Sequence, residues 1–401
     1  MKPTIFLHEE QIRLLFEKNN KKAAKGLAYC MDNASVIHAF TKIPKVLPSG
    51  ELINASFIIL DSVEDLERST TIIVDETILT IFFALDNKIL KAKAILIKNK
   101  NQQECFVKYI PEKSELYSRS KGLLETSHLE NKTVGIVGLG SGGSPIAVEL
   151  AKAGIGNFVL IDFDRIELSN VARHICGVND LGRYKTYAVR DYILQKNPFA
   201  SVKTLEIDVN EKAEECTKAL AKVDIIIAAS DNDKSRFLLN DIALKYKIPA
   251  IFGRAITRAI GGDVLRVRPY QGPCYNCLYS QELRNTEEEI SQRERQAKKF
   301  LPDYTSEENL NAVVQVGLAS DIAPITNFMV KLALVELSKG TNSGISSLEE
   351  DLIADFYIWA NRREYVYEGW SKLEYNFNKP SILRWYGAKV ERDPNCMVCG
   401  H

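Results

Sequence analysis

Long apolar runs are missing from this chain of 401 residues. No hydrophobic stretch approaches the roughly 20 residues that a helix needs to cross a bilayer. The opening, MKPTIFLHEEQIRLLFEKNN, meets charge too early for a secretory leader. A cytoplasmic protein without a membrane partner is expected. An excess of charge of one sign is also missing. Lys plus Arg and Asp plus Glu each number 52, so no global basic field draws the chain to nucleic acid, though a local patch remains open. Internal repeats and low-complexity tracts are absent. Histidine is scarce, at five residues (His8, His38, His128, His174 and His401), and no two make an H-x-H pair. Cysteine is present at eight residues, and without a leader these read as reduced thiols rather than a disulfide frame.

The patterning divides the chain. Residues 1–112 mix an amphipathic helix, Glu9 to Lys18, with strand-like runs such as Ala55–Leu60, Ile78–Phe83 and Ala92–Ile97. They read as a small α+β domain. Residues 113–130 read as a polar linker with a short helix. From Lys132 the pattern changes: Thr133–Gly138 is an apolar strand of the buried parallel kind, followed by a glycine loop and an apolar helix, Pro145–Ala153. Strands at Phe158–Asp162, Val202–Ile207, Val223–Ala229 and Pro249–Gly253 alternate with helices near Thr186–Gln195 and Lys234–Tyr246. Such alternation predicts an α/β fold with a doubly wound, mostly parallel sheet over residues 131–345. Residues 282–310 are charged and predict a solvated helix or loop, and Asn311–Ser338 is helical and apolar. Residues 346–401 form a β-rich C-terminal segment, with Tyr and Trp in strand-like alternation over 355–390.

The chemistry begins at the loop Gly138-Leu139-Gly140-Ser141-Gly142-Gly143, which fits G-x-G-x-x-G between strand and helix. Glycines let the backbone approach a phosphate, and the helix N-terminus favours its negative charge. Asp162 ends the next strand, where an acid can bind ribose hydroxyls. This much fits a nicotinamide-dependent oxidoreductase equally well. The segment Asp162-Phe163-Asp164 through Asn170 and Arg173 to Lys185 separates the two. A hydride-transferring enzyme has no need of those cations, whereas a triphosphate does. Asp231 ends a later strand at the same sheet edge, where a carboxylate can hold Mg2+ on phosphates.

Two CxxC pairs, Cys274–Cys277 and Cys396–Cys399, lie more than a hundred residues apart. Four thiolates from two such turns suit one structural, tetrahedral Zn2+, with no position left open for water. A redox dithiol is the alternative.

In combination these motifs resemble the ThiF/MoeB/HesA superfamily, the adenylation domains of ubiquitin-activating enzymes and their bacterial relatives. The resemblance rests on GLGSGGS, the D-x-D and S-N-x-x-R run, the lysine after Gly182, the S-D-N triplet and P-C-Y-x-C-L paired with a second CxxC. It covers roughly residues 115–345 and the terminal cysteines. It implies an ATP-dependent adenylyltransferase that activates the C-terminal carboxylate of a ubiquitin-like or sulfur-carrier protein and releases pyrophosphate. It further implies that Gly138, Gly140 and Gly143 cradle the nucleotide, that Asp162 binds the ribose and that Asp164 belongs to the same site. Asn170, Arg173 and Lys185 would contact phosphates, and Asp231 would hold magnesium. Tyr117-Ser118-Arg119 is similar to the family's R-Y-x-R entry segment, with Leu116 in place of the first arginine. Arg119 would then reach the ATP site of a partner in a homodimer.

This chain departs from the fuller family members. No cysteine lies between Cys277 and Cys396, where a thioester nucleophile often sits. Cys30, Cys105, Cys176 and Cys216 read as buried structural thiols, so direct hand-off of the adenylate is expected. A conjugating enzyme is one candidate receiver. The N-terminal domain faintly resembles the JAB-type metalloprotease-like domains fused to some bacterial members. Lacking H-x-H, it would serve substrate binding or dimer support. Rival readings are adenylation of a short peptide as in microcin-activating enzymes, a transfer-RNA-modifying dehydratase, and a non-catalytic carrier-binding scaffold.

Overall fold

A computed structural model describes residues 2–18, 23–32, 35–42, 50–87, 89–110, 116–256, 259–279, 317–361 and 382–400. The charged stretch expected over 282–310 and the centre of the aromatic stretch, residues 362–381, lie outside the described residues. The chain divides into two compact units, Met1–Arg119 and Ser120–His401.

In the first unit seven strands close into a barrel. They are β1 (Thr4–His8), β2 (Ala23–Met31), β3 (Val36–Phe40), β4 (Glu51–Ile59), β5 (Ile78–Asp86), β6 (Ile89–Lys98) and β7 (Asn101–Ile110). Around the ring the order is β1-β3-β2-β4-β5-β6-β7, and β7 returns to pair with β1 in parallel. Alternation fills the interior: Ile5 and Leu7 of β1, Ile37 of β3, Phe57 of β4 and Phe83 of β5 are almost fully buried. The helix Glu9–Lys18 follows β1 and adds Ile12 and Leu15 to this core. Closure is a finding that strand-like runs alone did not predict, because it depends on pairing between the two ends of the unit.

The second unit is built on one eight-stranded sheet. Its strands are β8 (Thr133–Val137), β9 (Asn157–Ile161), β10 (Ser201–Leu205), β11 (Ile225–Ala228), β12 (Ala250–Ala255), β13 (Gly261–Val267), β14 (Phe356–Ala360) and β15 (Arg384–Ala388). Their order is β10-β9-β8-β11-β12-β13-β14-β15. The first five run parallel, and β13, β14 and β15 pair antiparallel. The central parallel strands β8, β9 and β11 are near-continuous apolar runs, almost wholly buried, as helices on either side require, while β10 at the edge (SVKTL) is polar and partly exposed. The C-terminal strands extend this same sheet. A buried ion network fixes β14 there. Arg266 on β13, 2% exposed, donates to Glu349 at 2.5 Å and to Asp355 at 2.7 Å. Arg268 donates to the same two carboxylates.

β8 and β11 are neighbours in space although two strands intervene in sequence. The strand order reverses between them, so a crevice opens beyond their carboxyl ends, the place where ligands bind in open α/β sheets.

Candidate functional site

The crevice is a cleft of about 180 Å3 lined by Gly138 and Gly140–Gly142, by Asp162–Asp164, by Asn170, Arg173, His174 and Lys185, and by Asp208 and Ser230–Asn232. Eight of the nine nucleotide-site residues expected from the sequence in the second unit thus converge at one strand edge or on the turn beside it. The ninth, Gly143, starts the helix Gly143–Lys152 that follows the loop.

The loop glycines serve different ends. Gly138 has φ +85°, a left-handed backbone, and a Cβ there would lie 2.7 Å from the Ala229 and Ser230 backbone of the neighbouring strand end. A Cβ on Gly143 would lie 1.8 Å from the Gly138 carbonyl oxygen. These two let the chain turn. Gly140 is unlike them: nothing stands within 4 Å of its Cβ position. Internal packing does not require a glycine there, whereas close approach of a ligand to the backbone does.

Asp162 and Asp164 separate by environment. Asp162 is 9% exposed, and its carboxylate accepts from the Leu139 N–H at 2.6 Å and from the Asp164 N–H at 2.8 Å. It thereby ties the glycine loop to the end of β9. Burial pushes its carboxyl upward from the ordinary range, opposed by the Lys185 ammonium and by the two N–H donors. The Asp164 side chain is 45% exposed and accepts from Lys185 Nζ at 2.8 Å. Lys185 begins the helix Lys185–Lys196 and is buried. Burial acts to lower its pKa, but Asp162, Asp164, the hydrogen bond to Asp164 and then Asp231 outweigh it, so the pKa is raised. A cation is therefore held at the cleft wall among three carboxylates.

Sequence reasoning passed over His174. Its Nδ1 accepts from the Cys176 N–H at 3.0 Å, so Nε2 carries the proton and donates to the Leu139 carbonyl at 2.6 Å. Burial depresses its pKa to about 4. A neutral imidazole thus braces the glycine loop from below. Both nitrogens serve backbone groups, and no spacing in the sequence announces that. Asn170 turns inward to the Glu167 N–H at 3.1 Å and shapes the one-turn helix Leu168–Val171 that leads to Arg173.

Asp231 lies one residue before Asn232, which caps the helix Asp233–Tyr246 by accepting from the Ser235 N–H at 2.8 Å. Asp231 is exposed to the cleft beside the glycine loop, and a carboxylate is a hard-oxygen donor of the kind that suits Mg2+. Arg119 ends the first unit, exposed within the single 3-10 turn Ser118–Ser120.

The four CxxC sulfurs converge, all within 4.8 Å of one another. Sγ of Cys274 lies 3.7 Å from that of Cys396 and 3.7 Å from that of Cys277, and Cys277 lies 3.5 Å from Cys399. Ligands on a tetrahedral zinc with bonds of about 2.3 Å stand about 3.8 Å apart, so the donor set and its spacing fit that ion. Gly400 closes the second turn, where its N–H donates to the Cys396 carbonyl at 2.8 Å.

Comparison with known proteins adds to this geometry. The model of the ThiF family matches residues 115–350. The adenylyltransferase and sulfurtransferase MOCS3 of Aedes aegypti is 32% identical over 201 residues, 48% of this chain and 45% of that protein. The MOCS3 of Drosophila virilis is 36% identical over 154 residues, 38% of this chain and 33% of that protein. The chain thus spans less than half the length of these curated relatives. Among solved structures, Escherichia coli MccB is similar in fold, with a TM-score of 0.52 at 19% identity over 72% of this chain and 73% of that one.

Proposed function

Because the chain belongs to the ThiF family, we propose that it is an ATP-dependent adenylyltransferase that activates a C-terminal carboxylate. The observation that carries this reading is the convergence of the open Gly140 loop, the buried Lys185 ammonium and Asp231 in one cleft at the strand-order reversal. The triphosphate lies along the loop amides, with Lys185 and Arg173 as counter-charges. The ribose hydroxyls meet Asp164, the more exposed acid, while Asp162 keeps the loop in shape. Ile207 and Val209, past the end of β10, offer an apolar seat for the base. Asp231 would hold Mg2+, which would neutralise phosphate charge.

A carboxylate oxygen of the substrate attacks the α-phosphorus. The bond to the bridging oxygen breaks, and its electron pair leaves with pyrophosphate. The protein supplies position and charge rather than covalent chemistry. MOCS3 carries adenylyltransferase and sulfurtransferase in its name. By analogy the substrate here is a ubiquitin-like or sulfur-carrier protein, and a short peptide is the rival. The chain acts in the cytoplasm as a homodimer, with Arg119 of one copy serving the cleft of the other and the cysteine clamp holding Zn2+.

The adenylate passes directly to an outside nucleophile. Four of the eight cysteines form the clamp, and the other four are buried: Cys30 5%, Cys105 5%, Cys176 2% and Cys216 0% exposed. Burial pushes Cys105 up to about 11 and both Cys176 and Cys216 up to about 12, far from thiolate at neutral pH. Intact-protein mass measured after incubation with ATP and an acceptable carrier tests this. The expected result is adenylated carrier and an unmodified enzyme. A carrier adduct on the enzyme that hydroxylamine removes would contradict direct hand-off.

A further inference from the structure

We propose that Tyr275 is a positioning residue whose hydroxyl, anchored at the cysteine clamp, sets the helix N-terminus that presents Asp231 to the cleft. The proposal rests on the adenylation reading above. Tyr275 follows Cys274 directly, so the first knuckle of the clamp fixes its backbone. Its side chain is completely buried, and its hydroxyl donates to Asp233 Oδ1 at 2.8 Å. Its own N–H donates to Asn240 Oδ1 at 2.9 Å. Asp233 and Asn240 are seven residues apart on the helix Asp233–Tyr246, a spacing that returns to the same helix face. One residue of the clamp therefore grips that helix at two points along its length.

The grip continues to Asp231. Asp233 Oδ1 also accepts from Arg236 Nη1 at 3.3 Å, and Arg236 Nη2 donates to the Ser230 carbonyl at 2.7 Å. Ser230 Oγ lies 2.6 Å from Ser235 Oγ. Asp231 is thus framed by Ser230, whose carbonyl the relay holds, and by Asn232, whose cap starts the helix. Nothing in the packing core of the helix requires a tyrosine hydroxyl. The ring already stacks among Phe237, Phe252 and Tyr279, with centroids 5.0, 4.9 and 4.5 Å away, and a phenylalanine would keep those contacts. The hydroxyl's place is explained by the carboxylate it holds, and that carboxylate's place by the turn before it.

The test is the magnesium dependence of ATP binding to the full chain, followed by calorimetry, with clamp occupancy measured as zinc per chain. In Tyr275→Phe, zinc content and the far-ultraviolet circular dichroism stay as in the parent. The Mg2+ concentration giving half-maximal enhancement of ATP binding rises about three- to tenfold, the scale of one ordinary hydrogen bond lost one step away from the ligand. Affinity measured without added magnesium does not change. An unchanged magnesium midpoint with zinc retained overturns the proposal, as does an equal loss of affinity with and without magnesium, which marks a merely structural residue. If Tyr275→Phe loses its metal or its fold, Asp233→Ala removes the same bond from the helix side and is read in the same way. A parent chain that binds no ATP under any condition contradicts the adenylation reading itself, and the positioning role falls with it.

Discussion

At the scale of single residues, the cleft combines groups whose charges are legible in sequence with one whose role is not. Asp164 and Asp231 announced themselves as acids just past the ends of apolar strands, and Lys185 as a cation following the Gly182 turn. The division of labour between Asp162 and Asp164 was hidden. Both follow β9, and only the backbone donors that reach Asp162 show that it shapes the loop. His174 was hidden for the same reason, since both its nitrogens serve main-chain groups. It makes the stability pH-dependent in a stated direction. Its pKa is about 4 in the folded chain against an ordinary value of 6.5, so the unfolded chain binds the extra proton first. The stability it contributes is complete above the unfolded value and is lost as pH falls from about 6.5 toward 4. The melting-temperature gap between the parent and His174→Gln is therefore expected to be widest near pH 7 and to narrow toward pH 4. A gap that stays constant over that range would contradict the neutral tautomer.

At the scale of elements, the glycine loop makes two kinds of demand that substitution can separate. Gly143→Ala sets a methyl against the Gly138 carbonyl oxygen, at 1.8 Å before any relaxation, and is expected to destabilise the fold by about 1–3 kcal/mol in urea unfolding. Gly140→Ala meets open space and should keep stability within about 0.5 kcal/mol while weakening ATP binding tenfold or more. Equal losses of stability in the two variants would contradict a loop shaped for a ligand. The clamp makes its own prediction. Cys399→Ser removes one of four ligands that tie the chain's end to the knuckle after β13. Bound zinc, read with a chromophoric chelator, should fall from one per chain to well below one, and melting should drop by several degrees. The five parallel strands were expected from the sequence, whereas β13, which carries Asp263 and Arg266, was not. The pairing of β14 onto β13 was not expected either, because it is held by Arg266 and Arg268 meeting Glu349 and Asp355 across more than eighty residues.

At the scale of the whole molecule, two units differ in how much their sequences disclose. The second alternates strands and helices, and that local rhythm carries a crossover handedness and a strand-order reversal, so the cleft could be anticipated. The first unit is a barrel closed between β1 and β7, and closure is a contact between its ends that periodicity does not encode. What the chain does rests on the cleft of the second unit. We propose that a carboxylate is activated there by nucleotidyl transfer from ATP. Exchange of labelled pyrophosphate into ATP tests that claim most directly, with a Gly-Gly-ended carrier protein or a short peptide supplied as the carboxylate. Exchange is expected to require both magnesium and the free C-terminal carboxylate and to fall at least a hundredfold in Asp231→Ala, roughly 3 kcal/mol of transition-state stabilisation. Exchange that persists in Asp231→Ala, or chemistry in which ATP is cleaved to ADP and phosphate, would contradict the claim.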